Sequence, residues 1–342
     1  LPALAADARL PDNLLLAGLC HPKCSGVLAV TNDEESNLAI AIAVRLLNPD
    51  IPVIARAEQK SVAANMASFG TDHIINPYER FADSLALAVA APERFRLIEL
   101  LTSLPETPLA EPHQPPHGHW ILCGYGRFGH AVAERLRNTG IRLTIIDPTA
   151  GDADHDIIGD GTEASTLRQA GISEARGIVA GSNNDINNLS IAVTAHELNP
   201  ELFVVARQNQ AANNALFAAY GADFTVLPSR VIAQECIALL TAPLLARFLD
   251  RVQQLDETQC RQLVERLQAA CAGLTPVVWD NRLNAAEAPA CWQALMHGRT
   301  IELGSLLADA ADRQRRLPVV PLLVERDGDY LLLPADDFSL QP

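Results

Sequence analysis

The chain is a tandem duplication, and this limits its folds more than any other feature. Residues 28–56, LAVTNDEESNLAIAIAVRLLNPDIPVIAR, align with residues 179–207, VAGSNNDINNLSIAVTAHELNPELFVVAR, at a constant offset of 151 without a gap. Asn32 pairs with Asn183, Asn37 with Asn188, Asn48-Pro49 with Asn199-Pro200, and Ala55-Arg56 with Ala206-Arg207. The register continues through Gly70/Gly221, Asp72/Asp223, Pro77/Pro228 and Ala91-Pro92/Ala242-Pro243. Upstream, Asp7 matches Asp160 at an offset of 153, the two additional residues lying in the loop CHPKCSG. Whatever fold one copy adopts, the other must share.

Each copy alternates short β-branched or apolar runs with helical stretches, the pattern of a parallel sheet covered by helices. In the second copy the runs at 119–123, 142–146, 177–181, 202–206 and 224–227 predict strands, with helices near 127–139, 162–170, 185–198 and 210–220. The expected fold class is α/β: tandem Rossmann-like doubly wound sheets followed by a small α+β domain. The expected divisions are 1–91 for the first copy, 92–118 for a Pro-rich linker that opens with the short helix pattern FRLIELL, 119–250 for the second copy and 251–342 for the C-terminal domain. In that last part a helix over 252–272, a strand-like TPVVWD and a helix over 286–297 are expected. Asp327-Gly328 between apolar runs predicts a hairpin.

Composition narrows the function classes. The 342 residues carry 26 Lys+Arg against 41 Asp+Glu, a formal net charge of −15, which repels nucleic-acid phosphates and anionic lipid. No apolar run approaches the roughly 18 residues that span a bilayer. The seven cysteines, an odd number with several in apolar helix-like or strand-like context, are read as reduced thiols, and Cys20 and Cys24 form the single close pair where a zinc site needs about four ligands. His113, His117 and His119 fall in the Pro-rich stretch and are read as solvated linker residues.

Gly124-Tyr125-Gly126-Arg127-Phe128-Gly129 follows the apolar run Trp120–Cys123 and opens the helical stretch AVAERLRNTG. Glycines at this spacing allow a tight turn, close approach of a pyrophosphate and close helix–strand packing, with helix N–H groups facing the anion. A second strand ends in Asp147, 23 residues after Gly124, the place of the acid that receives ribose hydroxyls. Asp147 favours NAD(H) over NADP(H), whereas ATP or ADP would satisfy the same contacts. Asp160-Gly161-Thr162 lies where the adenine edge would fall, and Asp160 either accepts from the adenine amino group or caps a helix. Ser182, Asn183 and Asp185 end the fourth strand, at the sheet edge where ligands bind or as helix caps. Arg207, ending the fifth, contacts phosphate or a neighbouring domain, or forms a surface ion pair.

With these segments in place, the chain resembles the regulator-of-potassium-conductance (RCK) or TrkA-N family over about residues 1–250. The tail resembles, more loosely, the small domain that follows such units. The resemblance implies NAD(H) or ATP/ADP as ligand and a potassium channel pore or transporter subunit as partner. It implies self-association into rings through the crossover helices near 79–91 and 230–242. The expected location is the cytoplasm, at the inner face of the plasma membrane. The first copy starts at Asp7, the counterpart of Asp160, so residues 1–91 are assigned no intact nucleotide site, and pore helices upstream of Leu1 are an open expectation. A dehydrogenase is the alternative, but lysine occurs only at 23 and 60 and no positioned acid/base stands out. The reading is therefore of a regulatory module, without catalytic or metal-binding residues. A stand-alone sensing subunit that docks on a separate transporter is the third possibility.

Overall fold

The computed structural model describes residues 3–109, 114–149 and 156–341. The chain forms two compact units, Leu1–Ala90 with His113–Cys236 and Ala91–Pro112 with Ile237–Pro342.

In the first unit, the first repeat runs α1 (Pro11–Leu16), β1 (Val27–Ala29), α2 (Glu34–Leu47), β2 (Val53–Arg56), α3 (Lys60–Ser68), β3 (His73–Ile75) and α4 (Pro77–Ala90). Its strands form a parallel sheet in the order β1-β2-β3. Helix α5 (Pro92–Thr102) opens the second unit. The second repeat runs β4 (His119–Cys123), α6 (Arg127–Arg137), β5 (Arg142–Asp147), β6 (Ile157–Ile158), α7 (Ala164–Gln169), β7 (Gly177–Ala180), α8 (Asp185–Leu198), β8 (Phe203–Arg207), α9 (Asn214–Tyr220), β9 (Phe224–Val226) and α10 (Pro228–Thr241). Its six strands are all parallel, in the order β6-β5-β4-β7-β8-β9. This is the doubly wound order, with the direction of winding reversing between β4 and β7, where ligand crevices form. The two-residue strand β6 is absent from the sequence expectation, being too short to show a period.

The identities shared by the repeats are polar anchors of the sheet. Asn188 is fully buried; its carboxamide donates to the carbonyls of Ser182 and Arg207 and accepts from the Ser182 N–H at 2.8 Å. Asn37 does the same with Thr31 and Arg56. Asp223 accepts the N–H of Val204 at 2.7 Å, and Asp72 that of Val53 at 2.7 Å. Helix α8 is capped by Asn184, which accepts from Ile186 and Asn187, and α2 by Asp33, which accepts from Glu35. Each helix stops at an Asn-Pro pair because proline has no N–H to continue it.

Trp120, Leu122, Val132, Leu136, Ile145 and Val205 pack one face of the large sheet, and α4 of the first repeat adds Tyr78, Phe81, Leu85 and Val89 to the same core. The opposite face buries Ile121, Cys123, Leu167, Ile178, Ile191 and Val204. At about 1.5–3 kcal/mol for each large apolar side chain buried, α4 is a main tie between the repeats. Arg80 on α4 also pairs with Glu235 on α10 at 2.7 Å.

In the second unit, α5, α11 (Pro243–Arg251) and α12 (Glu257–Ala270) share a core of Leu97, Leu101, Leu245, Phe248, Leu263 and Leu267. Helices α13 (Pro289–Met296) and α14 (Leu303–Leu306) follow, with two antiparallel pairs. Strand β10 (Ile301–Glu302) pairs with β13 (Ser339–Leu340), and β11 (Leu323–Arg326) with β12 (Asp329–Leu332). Asp327 and Gly328 take φ of 53° and 85° and form the expected hairpin turn.

Four expectations are corrected. The stretch 92–118 is not a linker throughout, because the apolar face of FRLIELL makes α5 a core helix. His119 is not solvated: it opens β4, is 8% exposed, and lies 2.8 Å from the Thr144 hydroxyl; His113 lies outside the described residues. TPVVWD makes no strand, its neighbour Leu274 forming only a bridge to Pro108. The helix expected from 252 starts at Glu257, behind a capping box of Asp256 and Gln259. No helix among the described residues is long and apolar enough to cross a membrane.

Replacing Asn188 or Asn37 by alanine leaves buried backbone groups unpaired and is expected to lower stability by about 2–3 kcal/mol. The cap variant Asn184→Ala should lose only about 1 kcal/mol. Urea unfolding of the three variants checks that order.

Candidate functional site

The edge formed by the carboxyl ends of β4, β5 and β7 carries the glycine loop. Gly124 has φ of +98°, and a Cβ there would lie 3.2 Å from the backbone of Gly181 and Ser182. A Cβ on Gly129 would sit 2.1 Å from the Gly124 carbonyl oxygen, so only glycine lets α6 approach β4 this closely. A Cβ on Gly126 would meet nothing within 4 Å. Gly126 is the N-cap of α6 and no side chain caps the helix, so the N–H groups of its first turn are available to an anion.

Asp147, at the end of β5, faces this loop. One carboxylate oxygen accepts the Tyr125 N–H at 2.7 Å, and the other accepts the N–H of Thr149 at 2.8 Å and its hydroxyl. The spacing read from the sequence is thus a physical contact between the acid and the loop. Phe128 is buried against Gly181, while the Tyr125 ring packs on the His130 ring, centroids 3.8 Å apart.

Asp160 accepts the Thr162 N–H at 2.9 Å and so shapes the turn after β6. Gly161 lies over the end of β4, where a Cβ would be 2.8 Å from the Cys123 sulfur. Burial pushes the Cys123 thiol up to about 12, which makes it an inert packing group. Ser182 bonds to Asn184 and Asn188. The Asp185 carboxylate accepts four hydrogen bonds, from the N–H groups of Asn209 and Gln210 and the side chains of Asn209 and Asn213. Burial alone would raise its pKa, but these donors outweigh it and hold the carboxyl below its ordinary value. Asp185 therefore braces the loop after β8.

Arg207 is not on the surface. It is 6% exposed, with its guanidinium 4.8 Å from the Tyr78 ring centre and 5.1 Å from that of Phe128. It donates to Asn183 at 2.8 Å and to the Tyr78 hydroxyl at 3.0 Å. Burial lowers its pKa from the ordinary arginine value. Arg127, the first residue of α6, is exposed and reaches Glu58 at 3.0 Å and Glu34 at 3.7 Å, both from the first repeat.

The two repeats are matched by a known family. The TrkA-N domain family model matches residues 1–77 and 120–228, more than half of the chain. The chain belongs to the TrkA-N family. Potassium channel protein 1 of Methanocaldococcus jannaschii is 29% identical over 150 residues, covering 41% of this chain and 45% of the relative. The Trk system potassium uptake protein TrkA homolog of Methanothermobacter thermautotrophicus is 30% identical over 135 residues, covering 37% and 62%. This chain thus spans under two thirds of these relatives. Among solved structures, the GsuK channel bound to NAD aligns with 98% of this chain and 66% of its own, at a TM-score of 0.55 and 17% identity. The GsuK bound to ADP aligns with 69% and 56%, at 0.51 and 24%. At these identities the likeness is one of fold.

Within the TrkA-N chain, the glycine loop and Asp147 are in contact through the Tyr125 N–H, and Gly161 lies at the same edge against Cys123. Sequence reasoning missed Tyr78, Glu34 and Glu58, which the first repeat brings to the second repeat's loop. One signal was present: Glu34 falls opposite Asp185 at the repeat offset, and both brace the following loop, Glu34 by accepting the N–H groups of Glu58 and Gln59.

Gly129→Ala should separate α6 from β4 and cost about 2 kcal/mol or more in thermal or urea unfolding, whereas Gly126→Ala should be near neutral for stability.

Proposed function

We propose that this TrkA-N chain is a ligand-sensing regulatory module that binds NAD(H) or an adenine nucleotide on its second repeat and gates potassium transport through a channel or transporter. The observation that carries the reading is the contact between Asp147 and the glycine loop beside an uncapped helix N-terminus. Pyrophosphate would rest on the first-turn N–H groups of α6, and ribose hydroxyls would take over the carboxylate oxygens now used by Tyr125 and Thr149. The negative charge of Asp147 disfavours a 2′-phosphate, so NADP(H) fits less well. The names of the potassium-channel and Trk relatives support a potassium partner, and those of the two GsuK structures support NAD and ADP as ligand classes.

Regulation then follows from differential affinity. A ligand that bridges β4 and β5 favours the conformation in which the two strand ends are correctly spaced, and shifts the population of a partner assembly by that preference. Assembly through the crossover helices and a position at the inner membrane face belong to this proposal. No bond is made or broken in this reading.

Calorimetry of the full chain with NADH and with ADP tests the site. Wild type is expected to bind, NADH is expected to remain unoxidised with small keto acids and NAD unreduced with small hydroxy acids, and Asp147→Ala should weaken binding about tenfold or more, since it removes two charge-assisted hydrogen bonds. Equal affinities for wild type and Asp147→Ala would overturn the ribose assignment.

A further inference from the structure

Arg127 lies inside the glycine motif, yet its guanidinium is engaged by the other repeat. Glu58 holds it at 3.0 Å and Glu34 at 3.7 Å, and both carboxylates are largely buried, with side-chain exposures of 10% and 14%. The remaining bonds of these carboxylates are internal. Glu58 pairs with Arg56, and Glu34 accepts the N–H groups of Glu58 and Gln59 and the Gln59 side chain. These groups line one polar cleft of about 270 Å³ at the carboxyl end of the first repeat's sheet. The base of Arg127 is held in place by its neighbours. Phe128 stacks on Phe81, with ring centres 5.6 Å apart, and meets the Tyr78 ring edge-on at 5.9 Å. About two turns further along α6, Arg135 pairs with Asp83 of α4. The start of α6 is thus anchored to the first repeat, while the guanidinium at its tip, 58% exposed, can swing.

We propose that Glu58 and Glu34 of the first repeat compete with the phosphates of a nucleotide for the Arg127 guanidinium, so that occupancy of the glycine loop is read out in the first repeat. The inference rests on the nucleotide reading above. A phosphate on the first turn of α6 would lie beside the Arg127 backbone and would draw the side chain toward itself by a charge-assisted hydrogen bond. Glu58 would then keep Arg56 alone, and the loop whose N–H groups bind Glu34 would loosen. By reciprocity, whatever stabilises the Glu58–Arg127 pair weakens phosphate binding by the same factor. Glu58 is here a positioning residue, acting on the ligand only through Arg127.

The test is calorimetric titration of the full chain with adenosine, AMP, ADP and ATP. Glu58→Gln is expected to tighten ADP binding about two- to fivefold, the range of a partly exposed ion pair. The gain should grow from AMP to ATP, vanish for adenosine, and disappear in the Arg127→Gln background. A structural role for Glu58 would not produce that ordering by phosphate number. Hydrogen exchange supplies a second readout that needs no change at Glu58: ATP should speed exchange at the amides of Glu58 and Gln59 in wild type but not in Arg127→Gln. If wild type binds ADP while Glu58→Gln binds it equally or more weakly, or ATP leaves those amides unchanged, the competition is overturned and the nucleotide site stands. If wild type binds none of the nucleotides, both fall.

Discussion

The structure depends on the burial of Phe128. This residue belongs to the glycine loop by sequence, yet its ring lies in the core, stacked on Phe81 and edge-on to Tyr78, with Gly181 beneath it and the Arg207 guanidinium 5.1 Å away. A single side chain therefore fixes three things: the entry of α6 into the sheet, the position of the first repeat's α4, and the shelf on which Arg207 is sequestered. Because protein interiors transmit small displacements instead of absorbing them, a ligand that moves the loop cannot do so without pressing on α4.

Much of the second repeat was legible because its signals are local. Asn184 caps α8, Asn199-Pro200 stops it, and the helix occupies the expected 185–198. The glycine motif and Asp147 were legible for a related reason: each residue's chemistry is set by its own strand end. What escaped was of two kinds. Strand β6 and the absence of a strand in TPVVWD are matters of tertiary pairing, which no short run of residues encodes. Arg207 and His119 are polar residues that the fold buries, and their partners, Tyr78 and Thr144, lie 129 and 25 positions away. The duplication held a further clue in its identities, since Asn37/Asn188 and Asp72/Asp223 are hydrogen-bond anchors that each copy needs for its own sheet. The helical pattern of α5 was legible in FRLIELL, but its place in a core was not, because its partners in α11 and α12 lie far along the chain.

The site divides into groups that face a ligand and groups that hold the frame. The glycines and the first turn of α6 lie at the open edge, and Asp147 is bound there by the Tyr125 and Thr149 N–H groups. Asn183, Asp185 and Asn188 are committed to the protein, and Arg207 is packed between two rings. That division suits a sensor: the frame is stiff, the contact surface is small, and the charge on Arg127 can answer to either repeat. The net charge of −15 is compatible with the proposal, because a phosphate ligand would have to be recognised locally, by helix amides and one arginine, against an unfavourable overall field.

The most direct measurement is a structure of the full chain determined with ADP. The account predicts diphosphate on the N–H groups that open α6, ribose hydroxyls on Asp147, and the Tyr125 N–H released from that carboxylate. Nucleotide bound elsewhere on the chain, with the bond from Tyr125 to Asp147 intact, would contradict it.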